Sequence, residues 1–143
     1  MAIPPIPPNL ALQIVSADRL LVEEQVDEVE IPGADGYLGI LPGHTPLLAL
    51  LQVGELWYRK GQEKVYLSIA FGFAEIQPDR VTILAEIAEK AEEIDIARAE
   101  AAKRRAEERL SQPMMEMDFE RARIALLKSL IRLQVASRAR IRA

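Results

Sequence analysis

The chain has no cysteine and only one histidine, His44. The absence of cysteine excludes disulfide frameworks, thiolate metal sites and cysteine nucleophiles. A single histidine lacks partners for a metal cluster or a serine–histidine–acid triad, and no P-loop sequence is present. We therefore expect no metal centre and no catalytic residues, and a soluble hydrolase is set aside.

Long apolar runs are also missing. No stretch approaches the roughly 18 uncharged apolar residues that span a bilayer, and the first residues lack the basic and apolar segments of a secretion signal. We expect a soluble protein of a cytoplasm-like compartment. Residues 1–9, with prolines at positions 4, 5, 7 and 8, are predicted to form an extended tail.

The charge changes sign along the chain. Up to Glu89 there are 5 basic and 13 acidic residues, a net charge of -8, whereas from Lys90 onward there are 13 basic and 9 acidic residues, a net charge of +4. The last 23 residues carry seven basic side chains and no acid. Charge asymmetry of this kind concerns partners rather than fold. It indicates that the end of the chain meets a negatively charged partner.

Residues 10–89 are predicted to form a β-sandwich. Short runs rich in valine, isoleucine and leucine alternate with turn residues at intervals of about 8 to 12 residues, which is typical of sandwiches and barrels. Because so many short strands follow one another, we expect two stacked sheets with about nine or ten strands in all. The predicted strands are residues 10–15, 20–23, 26–31, 38–41, 47–51, 54–59, 63–69, 71–76 and 80–88.

Residues 90–143 are predicted to form an antiparallel helical hairpin. Glycine is absent from this segment, and its only proline is Pro113. Residues 94–110 are rich in strong helix formers, and Pro113 should end that helix. A second helix is predicted to begin near Asp118, a suitable N-cap, and to continue beyond Ala136. The alanines predicted to face each other are Ala97, Ala101 and Ala102 on the first helix and Ala122, Ala125 and Ala136 on the second.

Two motifs carry a family resemblance. Residues 31–47 read IPGADGYLGILPGHTPL, and residues 94–99 read IDIARA. In these motifs the chain resembles the epsilon subunit of bacterial F-type ATP synthases, over about residues 10–135. The resemblance implies a non-catalytic central-stalk subunit, with a sandwich that binds the gamma subunit and the c ring and a hairpin that inhibits ATP hydrolysis. It also implies a proton-translocating complex, which holds the chain peripherally on the cytoplasmic face of the bacterial cell membrane.

Two loops are candidate subunit contacts. The turn at residues 33–37 is bounded by glycines, so its backbone can approach a neighbour closely. It is either a plain hairpin turn or, as the resemblance implies, a contact with the c ring through Asp35 and Tyr37. His44 is either a loop residue with local hydrogen bonds or, as the resemblance implies, a contact with gamma.

The first helix carries a candidate nucleotide site. Asp95, Arg98 and Arg105 fall on one side of it, where an acid and arginines can hold adenine and phosphates. Alternatively, Asp95 caps the helix and pairs with Arg98 while Arg105 is solvated. The resemblance implies a regulatory ATP, bound without hydrolysis, and the alternative function is a stand-alone ATP-sensing module. The residues assigned in this way are Ile94, Asp95, Arg98, Ala99, Arg105, Lys128 and Arg132, with Lys128 standing where the family has an arginine.

The basic residues of the second helix allow three interpretations. Arg121, Lys128 and Arg132 are spaced seven and four residues apart and share a helix face. The face is solvated, or it binds nucleic acid, or it binds an acidic protein surface. Nucleic acid is disfavoured because the stripe has no aromatic residues and the rest of the chain is acidic. The resemblance implies the third, an inhibitory face of Arg121, Arg123, Lys128 and Arg132 against the catalytic beta subunits, beside alpha.

Overall fold

The computed structural model describes the backbone of residues 3–142 and the side chains of residues 3–139. The chain divides into two compact units, the first ending at Ala88 and the second beginning at Glu89. The first contains the β-strands, the last of which ends two residues into the second unit, and the second contains the helices. Among the described residues, no helix is both long and apolar enough to cross a membrane.

The first unit is built from seven strands that hydrogen-bond in the order β2-β1-β7-β6-β5-β3-β4. The pairs β1–β2, β3–β4, β3–β5 and β5–β6 are antiparallel, and the pair β1–β7 is parallel. Strands β2 and β5 are in contact although three strands separate them in this order. The sheet therefore curls back on itself, as a sandwich requires. The strands are β1 (Leu10–Ser16), β2 (Leu20–Val26), β3 (Glu28–Gly33), β4 (Gly36–Ile40), β5 (Leu47–Lys60), β6 (Glu63–Gln77) and β7 (Arg80–Lys90).

One aliphatic core lies inside the curled sheet. Along β1, Leu10, Leu12 and Ile14 are buried while Gln13 between them is exposed, which is the alternation expected of a strand with one face inward. Every strand contributes to this core. Each fully buried side chain of this size stabilises the unit by about 1.5–3 kcal/mol. The largest fully buried side chains include Ile31, Ile40, Leu56, Leu67, Ile69, Ile76 and Ile83.

The prediction of about nine or ten strands in two separate sheets is wrong, because the structure has seven strands in one hydrogen-bonded sheet. The predicted strands 47–51 and 54–59 are both parts of β5, and 63–69 and 71–76 are both parts of β6. The two long strands pair in one register from Leu47 and Ile76 to Lys60 and Glu63, and only the Gln52–Phe71 position drops out. The chain bends there without ending the strand.

The bend in β6 depends on a glycine. Phe71 has a φ of 62° and Gly72 a φ of 129°. A Cβ atom on Gly72 would lie 2.1 Å from the carbonyl oxygen of Leu84 on β7. Two neighbouring strands can pass this closely only because residue 72 has no side chain.

The second unit begins with a short 3-10 turn, Ala91–Glu93, followed by α1 (Ile96–Leu110) and α2 (Glu116–Arg142). The hairpin prediction is confirmed, with shifted ends. Helix α1 begins two residues later than predicted because Asp95 is its N-cap. Helix α2 begins at Glu116, before Asp118, which lies in its first turn. Its 27 residues span about 40 Å.

Small residues line the contact between the helices. Ala99 and Ala106 of α1 and Ala122 and Ala136 of α2 are buried. The expectation for Ala97 and Ala125 is wrong, since both are exposed. The buried face of α1 continues instead from Ile94 through Ala99 and Ala106, the last two one heptad apart.

Candidate functional site

The turn between β3 and β4 is fixed to β5. The backbone N–H of Ala34 donates a hydrogen bond to the carbonyl oxygen of Leu50 at 2.8 Å. The side-chain amide of Gln52 donates to the carbonyl oxygen of Ala34. Asp35 lies at the exposed tip of this turn. Because both anchors are on β5, the turn presents its tip in one orientation.

Tyr37 lies across β5 beside Gly54. Its hydroxyl accepts a hydrogen bond of 3.2 Å from the backbone N–H of Glu55. A Cβ on Gly54 would lie 2.7 Å from that hydroxyl and 2.5 Å from Cβ of Pro32, so a side chain at residue 54 would displace the tyrosine. The ring of Tyr37 is held at its polar end and is half exposed. Such a ring is a suitable anchor for a partner.

An apolar surface adjoins this turn. A groove of about 430 Å³ lies between the turn and the first part of β5. Leu48 is 69% exposed and Leu50 is 57% exposed, and Phe73 of β6, which pairs with Leu50, is 49% exposed. We call Tyr37, Leu48, Leu50 and Phe73 the apolar outer surface. Large apolar side chains grouped on an exposed sheet face are typical of an interaction site.

His44 lies in the loop after β4 and is half-buried. Its ring Nδ1 is 2.6 Å from the carbonyl oxygen of Thr45, which accepts the hydrogen bond. Its backbone N–H donates to the carbonyl oxygen of Leu41 at 3.2 Å. The structure therefore places His44 in local hydrogen bonds, and its contact with gamma is a proposal.

The start of α1 contains the residues of the proposed nucleotide site. Asp95 accepts a 3.1 Å hydrogen bond from the backbone N–H of Arg98 and so caps the helix. Ile94 and Ala99 are buried, whereas the side chains of Arg98 and Arg105 are exposed. Three of the assigned residues are thus available at the surface, and two belong to the packing of the hairpin.

Arg132 of α2 already has a partner, Glu89. Its Nε and Nη2 atoms donate to the two carboxylate oxygens of Glu89 at 2.7 and 3.1 Å. Both side chains are 25% exposed. Paired, bidentate hydrogen bonds of this kind between charged groups are among the strongest polar contacts in proteins. Lys128, one turn earlier on α2, is half-buried.

The first half of the basic face is more exposed. Arg123 forms a bidentate pair with Glu120 of the same helix, at 3.2 and 3.0 Å. That hydrogen bond lowers the pKa of Glu120 and raises the pKa of Arg123. Arg121 is exposed and, with Arg109, Met114 and Asp118, lines a cavity of about 370 Å³ at the turn of the hairpin.

Two features of these surfaces were not predicted from the sequence. Leu48 and Leu50 belong to an apolar run that reads as a buried strand, so nothing in the pattern indicated that they face outward. Glu89 was placed at a domain boundary without a role. No sequence signal marked it, because its partner Arg132 lies 43 residues away.

Models of two protein families match the chain. The model of the ATP synthase delta/epsilon chain β-sandwich domain matches residues 9–91. That of the ATP synthase delta/epsilon chain long α-helix domain matches residues 92–137. The chain therefore belongs to the delta/epsilon chain family of ATP synthase.

The relatives with curated names are epsilon chains, which narrows the delta/epsilon family to one type of chain. The ATP synthase epsilon chain of Koribacter versatilis is 56% identical over 98 residues, covering 68% of this chain and 69% of the relative. The epsilon chain of Solibacter usitatus is 45% identical over 132 residues, covering 92% and 98%. The family is the one that the sequence motifs indicated. Within ATP synthase, the chain is an epsilon-type subunit of the central stalk.

Solved structures agree with this fold. A chain of the Euglena gracilis mitochondrial ATP synthase, from a structure that includes its c-ring, has a TM-score of 0.79 and 27% identity and covers 96% of this chain and 84% of its own length. A chain from the central stalk and c-ring of the Tetrahymena thermophila enzyme has a TM-score of 0.57 at 13% identity, which concerns the fold alone.

Proposed function

We propose that the first unit binds the gamma subunit and the c ring through its apolar outer surface and the adjoining turn. We further propose that the second unit inhibits ATP hydrolysis. The subunit itself catalyses no reaction in this proposal. Its position is peripheral, on the cytoplasmic face of the bacterial cell membrane, where a proton-translocating synthase holds it through its partners.

The observation that carries the proposal is the exposure of the apolar outer surface. Leu48 and Leu50 alternate on β5 with the inward-facing Ala49 and Leu51, so their orientation is set by the pleat of the strand. A sheet face left to water would carry polar side chains at these positions. Burial of such residues against another subunit is a large favourable contribution to association.

The anchored turn supports a second contact beside this surface. Asp35 and Tyr37 stand next to the groove, and the turn is fixed to β5 by the hydrogen bonds of Ala34 and Gln52. Preorganised contacts lose less entropy when they bind. We propose the c ring as the partner of this turn, and gamma as the partner of the apolar outer surface and the His44 loop.

The basic residues support the inhibitory role of α2. Arg121 is exposed, and Arg123 and Arg132 make pairs with carboxylates of this chain itself. Guanidinium groups that bind Glu120 and Glu89 bidentately can bind carboxylates of a partner in the same way. We propose that Arg121, Arg123, Lys128 and Arg132 exchange to acidic residues of the catalytic beta subunits, beside alpha, when the hairpin inhibits.

The second candidate function is ATP sensing by the hairpin, without hydrolysis and with no other cofactor. Its support is the exposed set of Asp95, Arg98 and Arg105 on α1, with Lys128 and Arg132 on α2. For Arg132 to contact ATP, it must release at least one of its two hydrogen bonds to Glu89. Calorimetry on the full chain tests it, because Arg98→Ala should abolish the heat of ATP binding. If the unmodified chain gives no heat, the candidate is rejected.

The docking proposal is tested by comparing two exposed leucines. Leu50 is 57% exposed on the apolar outer surface, and Leu20 is 48% exposed on the edge strand β2. Leu50→Ser should weaken binding to purified gamma at least about tenfold, while Leu20→Ser should leave it unchanged. Equal binding by both variants would contradict the proposal.

A further inference from the structure

We propose that the Glu89–Arg132 ion pair is the latch that keeps α2 folded against the segment leading into α1. This inference deepens the proposed function, because the hairpin is the element proposed to inhibit hydrolysis. The latch joins residues 43 positions apart in the chain. It fixes α2 to residue 89, the first of the second unit.

The pair has the geometry of a strong contact. Two parallel N–H donors of Arg132 meet both oxygens of Glu89, at 2.7 and 3.1 Å. Both side chains are three-quarters covered, at 25% exposure. Partial burial reduces screening by salt, and the two hydrogen bonds fix the direction of the guanidinium plane.

The rest of the hairpin interface is weak in comparison. Its buried side chains are mainly alanines, among them Ala99, Ala106, Ala122 and Ala136, with Ile94 and Val135 as larger members. The core of the first unit, by contrast, consists mainly of leucine, isoleucine and valine. Apolar stabilisation scales with the area buried, so an interface of mainly small side chains leaves the closed hairpin more dependent on its polar contacts.

A second ion pair on α2 provides the contrast. Arg123 and Glu120 have the same bidentate arrangement, but they lie three residues apart on one helix, with 52% and 51% of their side chains exposed. Because both residues lie on α2, breaking that pair does not loosen α2 from any other segment of the chain. Breaking Glu89–Arg132 removes the side-chain link between α2 and residue 89 and leaves α2 held by its contacts with the 3-10 turn and α1. An acidic protein surface that binds Arg132 in place of Glu89 therefore opens the latch.

Amide hydrogen exchange of the full chain tests the latch. Glu89→Gln keeps the shape of the side chain and removes its charge. It should speed amide exchange in residues 124–139 of α2 by about tenfold, because α2 opens locally more often when the ion pair is lost. Arg132→Gln should do the same, and the charge swap of Glu89→Arg with Arg132→Glu should restore much of the protection. Amides of β5 and β6 report unfolding of the first unit and should be unchanged in every variant.

Glu120→Gln is the matched control and should leave residues 124–139 unchanged. If Glu89→Gln exchanges like the unmodified chain or like this control, the latch is refuted. The experiment uses the free chain, so its outcome does not depend on whether the hairpin inhibits hydrolysis. A working latch in a subunit that inhibits nothing would remove the proposed function and keep this inference.

Discussion

Gly72 is a residue at which the first unit has no room for a side chain. Its φ of 129° is a conformation that residues with a Cβ rarely adopt. A Cβ there would lie 2.1 Å from the carbonyl oxygen of Leu84 and 2.8 Å from Cα of Ala85. Both are backbone atoms, so no rotamer change can relieve the collision. The bend of β6 therefore requires glycine at position 72, because any larger residue would place a Cβ atom against β7.

We expect Gly72→Ala to lower the free energy of unfolding of the first unit by about 3 kcal/mol or more, from strain and collision together. Gly39→Ala is the control, since a Cβ at Gly39 meets nothing within 4 Å. It should change the stability by less than about 1 kcal/mol. Urea unfolding followed by the fluorescence of Trp57, the single tryptophan, measures both. Equal midpoints for the two variants would show that the strands can separate at no cost.

At the scale of elements, α1 owes its first turn to one side chain. Asp95 accepts a hydrogen bond from the N–H of Arg98, which otherwise has no partner within the helix. Asp95→Ala should destabilise the start of α1 by about 1 kcal/mol, whereas Asp95→Asn should nearly preserve it, because asparagine caps as well as aspartate. Exchange rates of the amides of residues 96–100 measure the effect. If alanine and asparagine behave alike, the side chain contributes nothing to the cap.

The helices could be predicted from sequence because their signals are local. Asp95, the run of helix formers to Leu110 and Pro113 specify α1 and its end without reference to the rest of the chain. Strands β5 and β6 were each predicted as two strands, with breaks at residues 52–53 and at residue 70. In the structure both strands continue through these breaks, and the nearby Gly54 and Gly72 are positions where Tyr37 and Leu84 pass close to the backbone. Which glycine ends a strand and which admits a neighbour is decided by tertiary contacts.

Some features of the candidate surfaces could likewise be predicted from the local sequence, and others could not. Asp35, Tyr37 and His44 were predicted as contacts because they lie in a motif, and their contacts with other subunits stay predictions. The pairing of Arg132 with Glu89 was not predicted, since their separation of 43 residues leaves no periodic signal. The outward direction of Leu50 depends on the register of β5 with β6. Register is fixed by the whole sheet and not by the residues themselves.

For the molecule as a whole, the two units carry opposite charge and different kinds of packing. The first has an aliphatic core of its own and, with 5 basic and 12 acidic residues up to Ala88, a net charge of -7, whereas the second is positive and packs mainly through alanines. A unit with its own core can fold alone. The separation therefore allows the proposed anchoring role and the proposed inhibitory role to be tested independently.

We expect a chain ending at residue 89 to assemble with the synthase as well as the full chain does, because the apolar outer surface is intact. The same truncation should raise ATP hydrolysis by the complex, since the basic face of α2 is removed. The measurement is steady-state hydrolysis of both complexes at equal subunit content, with and without added salt. Inhibition by the full chain should weaken as salt rises, because exposed charge pairs are screened. Equal hydrolysis by the two complexes at low salt would leave α2 with no inhibitory role, while loss of assembly would instead place an anchoring contact in the second unit.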